Sequence, residues 1–562
     1  MSQDEWQPDA QSQEPGAGGR PARKKKAEFS KTVASLVTGE ADAHEVMARD
    51  EEKVEASQPK PVFATAVDAF LTNFLGDAPQ WFTGAVIACL IINPILLAQA
   101  GPFVAGWAII VEFIACLAMA LKCYPLQSGG LIAFEAVLLG LTNPNTVYHE
   151  VHSNFPVIML LMFMVAAIHF EREFLMFAFT KIMVKIKHKG RLSLTFCFMG
   201  AVLSAFLDAL TVTAVVITVA TGFYAIFHRV ANGLSHDNTD HDHEEDGSLS
   251  EKAALDLNNF RGFLRNLMMH TSVGTALGGV MTLVGEPQNL IVGETMGWHF
   301  GEFFMRMLPV TAPVFVCGLA TCLFVEWKGV MGYGVKMPES VREVLERAER
   351  FQGKSRTPTV YSRLVVQGIG AILLICALAF HVAEVGLIGL GLLVILTAVN
   401  GVIKEGQIGH AFEEALPFTA LLCVFFTVIG VIHDQHLFAP IIHLVLGFEG
   451  KGQLEAFYWA NGSLSAISDN VFVAGTYISE AKKAFDEGLI TRDQFEKIAV
   501  AINVGTNIPS VATPNGQAAF LFLLTSGLAP LIKLGYGQMV KLALPYTVVL
   551  SVVGWLGVKF LL

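Results

Sequence analysis

An internal duplication constrains this chain more than any other feature. Leu203-Ser204-Ala205-Phe206-Leu207-Asp208 returns as Leu464-Ser465-Ala466-Ile467-Ser468-Asp469. The same spacing of 261 residues pairs Pro156 with Pro417 and Val212 with Val473. Both aspartates lie in apolar surroundings. A carboxylate in mid-bilayer costs roughly 2.5–3.5 kcal/mol on insertion scales, so by default it marks a function. Two of them, related by a repeat, point to a transporter whose halves meet at an ion site.

The rest of the chain fits a membrane. Of its 562 residues 53% are hydrophobic and 15% charged, and the mean hydropathy is +0.52. Apolar stretches of near-membrane length recur, while the short alternating segments of a β-barrel are absent. The expected fold is an all-α polytopic membrane protein. The net charge of −11 says little about partners, because much of it comes from the N-terminal tail and the Asn232–Asn259 loop. No nucleic-acid partner is expected. The eight cysteines lie in or beside apolar segments without a Cys-x-x-Cys pair. They read as small core residues rather than disulfides or metal ligands. Residues 1–69 read as a disordered cytoplasmic extension carrying the basic run Arg20–Lys26, with no signal-peptide pattern.

Two stretches, Leu192–Phe227 and Ala456–Ile478, carry the aspartates near their middles. Their flanks are short for full crossings and suit re-entrant hairpins. Phe263–Met296 and Ile498–Pro530 contain Val284-Gly285-Glu286-Pro287-Gln288-Asn289 and Ala512-Thr513-Pro514-Asn515-Gly516-Gln517. Neither run can be continuous helix. Irregular backbone at this depth is tolerated only where it lines a cavity or is buried in protein. The duplication continues through Gly130-Leu131-Ile132 and Gly386-Leu387-Ile388, Val273-Gly274-Thr275 and Val504-Gly505-Thr506, and Leu308-Pro309 and Leu544-Pro545.

The expected organisation is therefore N-terminal membrane helices over 70–125 and a first repeat over 126–326. The first repeat holds a hairpin at 192–227, an acidic loop at 232–259 and a broken helix at 263–296. A cytoplasmic loop and linking helix follow over 327–382, with Pro338–Phe351 as a surface helix. A second repeat over 383–562 has its hairpin at 456–478 and its broken helix at 498–530. About 11 spanning helices plus two hairpins result. Lys181–Arg191 has five basic residues and its mate Ile442–Gly452 has one. The repeats should therefore be inverted, with the basic segment and the N-terminus cytoplasmic. The segment Glu480–Lys497 conflicts, since it falls on the other side yet has four basic residues.

Burial disfavours the charged form of a carboxylate, so Asp208 and Asp469 can each hold either a proton or a hard cation. Competition for one carboxylate is the simplest basis of cation/proton antiport, with Na+ bound at Asp208 and Asp469. Sodium prefers oxygen, so Ser204, Thr211, Ser465, Ser468 and Asn470 are candidate helpers. Capping of a broken helix is the competing role for each aspartate, and one side chain can do both. Glu286, Gln288 and Asn289 form a polar cluster at one break; Thr513, Asn515 and Gln517 form the other. Either cluster completes a cation site or satisfies the broken backbone. Glu286 is the sharper candidate, being ionisable and without an equivalent in the second copy. Glu112 and Glu135 read as protonated or interface-facing acids, His270 and His381 as structural histidines. His236, His241 and His243 read as part of a solvated acidic loop rather than a metal tract. Phosphate loops, His-Glu-x-x-His helices and Gly-x-Ser-x-Gly elbows are lacking. No enzyme activity and no cofactor are expected, and an ion gradient should supply the energy.

From about Phe70 to Leu562 the sequence closely resembles the NhaB family of bacterial sodium/proton antiporters. The resemblance is carried by Phe103–Trp107, Ala118–Pro125, the Asp208 segment, Gly278–Asn289, Ser468–Val473 and Pro509–Leu524. It implies membership of the ion transporter superfamily, with inverted repeats, commonly a homodimer, and elevator-type movement. It also implies electrogenic exchange of cytoplasmic Na+ and Li+ for external H+ at the bacterial inner membrane. The family's intramembrane aspartate maps onto Asp208. Dicarboxylate relatives carry Ser-Asn-Thr at their hairpin tips; here the tips read Asp208-Ala209-Leu210 and Asp469-Asn470-Val471. Carboxylates there repel an anion and attract a cation, which favours antiport over the alternative, a sodium-coupled anion (dicarboxylate or arsenite) symporter.

Overall fold

Short turns built on Gly and Pro chop the chain into helices of unequal length, and a computed structural model describes them. The described residues are 69–70, 73–120, 122–232, 250–413, 415–438, 440, 444–445, 447–448 and 451–562. The basic run Arg20–Lys26, the rest of the N-terminal extension through residue 68, and the His236, His241 and His243 tract lie outside them.

Leading the described part are α1 (Gln80–Ala100), α2 (Pro102–Ala118) and α3 (Pro125–Leu138). Next come α4 (Pro144–Ser153) and α5 (Phe155–His169), bent by 62° from each other. A π-helical turn, Leu160–Met164, interrupts α5. Helices α6 (Arg172–Lys185), α7 (Lys189–Ser204), α8 (Ala209–Ala231), α9 (Glu251–Gly279), α10 (Pro287–Met296) and α11 (Phe300–Lys328) complete the first copy. The surface helix α12 (Glu339–Ser355) and α13 (Pro358–Ala379) lead to the second copy. That copy comprises α14 (Val385–Val399), α15 (Glu405–Glu413), α16 (Leu416–Asp434), α17 (Lys451–Ser465), α18 (Asn470–Asp486) and α19 (Arg492–Asn507). It ends with α20 (Ala518–Thr525), α21 (Leu528–Leu531) and α22 (Tyr536–Leu561). No strand occurs among the described residues. The protein is an all-α polytopic membrane protein.

Some boundaries differ from the sequence reading. Helix α9 begins at Glu251 because Ser250 caps it, its hydroxyl accepting from the Ala253 amide at 3.3 Å. The last residues of the expected 232–259 loop are therefore helical. The arms flanking Asp208 are unequal: α7 has 16 residues and α8 has 23, enough for a full crossing. The arms flanking Asp469 have 15 and 17. Against about 11 expected crossings, six described helices are long and apolar enough, or seven with the bent α4–α5 pair. Helices α2 and α14 are apolar but only 17 and 15 residues long, under the roughly 20 that a straight crossing takes. The conflicting basic residues of Glu480–Lys497 are largely paired. Lys482 with Asp486, Arg492 with Glu496 and Lys497 with Asp493 form i,i+4 ion pairs.

The two copies are packed alike and interleaved. Within each, the helix before the aspartate lies along the broken helix: α7 on α9, and α17 on α19. The partners then exchange. Helix α10, beyond the first break, packs on α18 of the second copy, and α20, beyond the second break, packs on α8 of the first. Helices α3 and α14 swap in the same way, onto α16 and α5. Small residues permit the closest approach, as is usual where lipid removes the hydrophobic drive between helices. A Cβ on Gly505 would come within 2.7 Å of the Tyr458 carbonyl oxygen, and its mate Gly274 is pressed against the backbone of Cys197.

Candidate functional site

The repeat persists at single-atom level around the two breaks. The Thr282 hydroxyl donates to the Ala205 carbonyl, and the matched Thr513 hydroxyl donates to the matched Ala466 carbonyl. Each contact ties a broken helix to the turn that precedes an aspartate. Each aspartate then caps the helix that follows. Asp208 Oδ2 accepts from the Thr211 amide at 3.2 Å, at the start of α8. Asp469 Oδ1 accepts from the Val471 and Phe472 amides at 2.8 and 3.4 Å, at the start of α18. A carboxylate at a helix N-terminus satisfies orphan amides and meets the positive end of the helix dipole. The capping role is therefore present at both tips.

The carboxyls also face open space. A cavity of about 260 Å³ is lined by Asp469 and Asn515 with Tyr124, Leu117 and Leu421. A second, of about 220 Å³, is lined by Asp208 and Thr211 with Leu161 and Val165. Leu210, Phe418 and Phe522 border both. Asp208 is buried and Asp469 half-buried. Glu286, at the N-cap of α10, is 3% exposed. The three acids come from three different turns, two at the tips and one at a helix break. Among the described residues, no three His, Cys, Asp or Glu side chains come close enough to clasp one metal ion together.

The neutral candidates divide into two groups. One group is occupied by protein. Asn289 Nδ2 donates to the Gly279 and Thr282 carbonyls, both at 2.7 Å, which accounts for carbonyls freed by the break. Thr513 is engaged with Ala466 as above. Ser465 hydrogen-bonds Asn470, whose Nδ2 reaches the Ser510 hydroxyl at 3.4 Å. The other group presents buried oxygen without a hydrogen-bond partner: Ser204 Oγ, Ser468 Oγ, Glu286 Oε1, Gln517 Oε1 and Asn515 Oδ1. Asn515 meanwhile donates to the Ala118 carbonyl at 3.0 Å, joining the second break to the end of α2. A buried polar atom left unpaired costs on the order of 1–3 kcal/mol. Five of them beside two acids form an acceptor-rich centre, suited to a cation or to protons.

Glu286 does have a counterpart, contrary to the sequence reading. The spacing of 231 that pairs Val273 with Val504 pairs Glu286 with Gln517, and both present a bare Oε1. Asn507 is a residue that the motifs did not single out. Its Oδ1 accepts from Gln288 Nε2 at 2.7 Å, and its Nδ2 donates to Asn289 Oδ1 at 3.0 Å. It thereby locks the two breaks together. Its mate is Ala276, so comparing the copies gives no hint of it; a polar residue at the end of a buried, Gly-containing helix was the available signal.

The other singled-out side chains lie apart. Glu112 and Glu135 each accept from Asn93 Nδ2 at 2.8 Å. His270 is fully buried between the Tyr546 hydroxyl at 2.7 Å and Glu326 at 2.9 Å. His381 sits at an exposed turn, its ring against His299.

Comparison with known proteins agrees along almost the whole chain. The family model for Bacterial Na+/H+ antiporter B (NhaB) matches residues 62–562. A Na(+)/H(+) antiporter NhaB of Marinomonas sp. (strain MWYL1) is 59% identical over 498 residues, covering 89% of this chain and 99% of that one. The protein of the same name from Saccharophagus degradans is 59% identical, with 87% and 97% covered. That of Vibrio cholerae serotype O1 is 57% identical, with 88% and 93% covered. Among solved structures, Neisseria gonorrhoeae MtrF aligns with a TM-score of 0.45 and 14% identity over 77% of this chain and 84% of that one. That likeness is too slight to carry an argument.

Proposed function

The chain belongs to the NhaB family of bacterial Na+/H+ antiporters, and on that premise we propose that it exchanges Na+ for H+ through carboxylates that the two ions occupy in turn. The observation that carries the carboxylate reading is the acceptor-rich centre: Asp208 and Asp469 with five buried, unpartnered oxygens around two helix breaks, one of them Glu286 Oε1. Oxygen ligands suit hard monovalent cations, and half-helix ends and unwound backbone are the usual makers of such sites in transporters. Ser204, Thr211, Ser465, Asn470, Asn289, Thr513 and Asn515 then supply or brace the shell. Protonation of the acids expels the cation; its return expels protons.

The finer reading follows the family. Na+ and Li+ leave the cytoplasm, protons enter, and the exchange is electrogenic. The body holding the breaks moves against the remaining helices, elevator fashion, in an inner-membrane homodimer with a cytoplasmic N-terminus. Neither energy from ATP nor a cofactor enters this scheme. Sodium-coupled anion symport is disfavoured, because each cavity is lined by a tip aspartate, which repels an anion. Purified protein in proteoliposomes loaded with a pH-sensitive dye tests the reading. Alkalinisation or acidification of the lumen on imposing a Na+ gradient, with a voltage-dependent rate, is the expected result. Absence of Na+-driven proton movement, or uptake of labelled dicarboxylate with Na+, would overturn it.

A further inference from the structure

The spacing of 261 that relates the aspartates also relates Arg172 to His433. Each sits at the same station of its copy, and each reaches toward the helix that follows an aspartate. Arg172 Nη2 donates to Thr218 Oγ1 on α8 at 2.7 Å. His433, at the end of α16, lies between two acids. Its Nδ1 is 2.8 Å from Glu150 Oε1 on α4, and its Nε2 is 3.9 Å from Glu480 Oε1 on α18. Glu480 is 4% exposed, and that Oε1 has no hydrogen-bond partner. One copy thus uses a side chain that is always charged, the other one that changes charge between about pH 5 and 8.

We propose that His433 is a proton-operated bridge that ties α18, the helix capped by Asp469, to α4 and α16, and so positions Asp469 for exchange in a pH-dependent way. This rests on the antiport reading. A neutral imidazole has one N–H and can serve only one of the two acids. The charged ring donates from both nitrogens, to Glu150 and, after a shift of about 1 Å, to Glu480. Acid conditions then hold α18 fast; alkaline conditions release it. Other charged groups face the same point. Lys483 lies on α18 near Glu480 and Glu487 caps that helix, and Lys483 contacts His436 Nδ1 at 3.1 Å. Asp434 is held by Thr142 and Thr146 at 2.8 and 3.2 Å. On α4, His149 is exposed and His152 packs on Tyr148. The acids of α2 and α3, which also pack on α16, are turned to Asn93.

Rates of Na+-driven proton exchange in proteoliposomes across pH 6–9 test this, with parent, His433→Gln, His433→Arg and Glu480→Gln compared. For the parent, the rate rises with pH. His433→Gln and Glu480→Gln run roughly five-fold faster than the parent at the acid end and equal it at the alkaline end. His433→Arg, which copies the Arg172 arrangement, stays at the parent's acid-end rate throughout. Parent-like profiles in both glutamine variants would overturn the bridge, even if the arginine variant does not fold. A parent without any Na+-dependent exchange would instead overturn the antiport reading.

Discussion

The two helix breaks have the same backbone plan and different charge. Both tie a threonine to the carbonyl of the preceding tip, and both expose a bare Oε1 at the matched position. The first break puts a carboxylate there, Glu286, and the second a carboxamide, Gln517. At the tips the bias runs the other way: Ala209 follows Asp208, whereas Asn470 follows Asp469 and is bound to Ser465 and Ser510. The first copy thus carries two acids and no bracing amide at its tip, while the second carries one acid and a braced tip. Duplication preserves the acceptors and lets charge diverge, which gives one centre two unequal halves.

Removing either tip carboxylate should break the comparison most severely. Asp208→Asn and Asp469→Asn are each expected to lower exchange by at least about 100-fold, as losing about 3 kcal/mol at a buried charged site implies. Dye-loaded proteoliposomes read this directly, and an Asp469→Asn protein with parental rates would reduce the second tip to a helix cap. Next in size is the charge difference itself. Glu286→Gln makes the two breaks alike and should weaken apparent Na+ affinity by about ten-fold, or about 1.4 kcal/mol. The double variant Glu286→Gln with Gln517→Glu moves the charge across and should regain part of that loss if the centre is shared. An additive or worse double variant would show two independent halves.

Stability separates the copies less. Gly274→Ala and Gly505→Ala force matched crossings apart, and each should cost about 1–3 kcal/mol, seen as a lower midpoint in thermal unfolding of the solubilised protein. The smallest effect is expected from Asn470→Ala, which gives the second tip the first tip's alanine. About 1 kcal/mol of lost hydrogen bonding implies a change in the Na+ concentration for half-maximal rate of about five-fold. No change there would mean that the bracing of the second tip is idle.

Much of this plan is legible in the sequence. The paired Leu-Ser-Ala motifs locate both tips, and Gly285-Glu286-Pro287 and Pro514-Asn515-Gly516 locate both breaks, because a Gly and a Pro two residues apart remove an amide from the helix ladder and most of the local helix propensity in a single turn. What the sequence hides is which copy a helix packs against. The exchange of α10 and α20 between copies depends on three-dimensional closure and leaves no periodicity behind. For the same reason Asn507 stays invisible until Gln288 and Asn289 are seen facing it. The sharing of Asn93 by Glu112 and Glu135 joins residues 19 and 42 positions apart, with no local motif. Helix ends are also hard to read: residues 251–259, which look like the end of a loop, become helix once Ser250 caps them.

Leu210, Phe418 and Phe522 border both the space at Asp208 and the space at Asp469. Apolar side chains shared by both linings offer water no hydrogen-bond partner there. On the antiport reading, an ion held at one tip would meet an unfavourable lining on its way to the other. On that reading, the lining would disfavour leakage of sodium or protons down their own gradients and keep the energy of one gradient for driving the other.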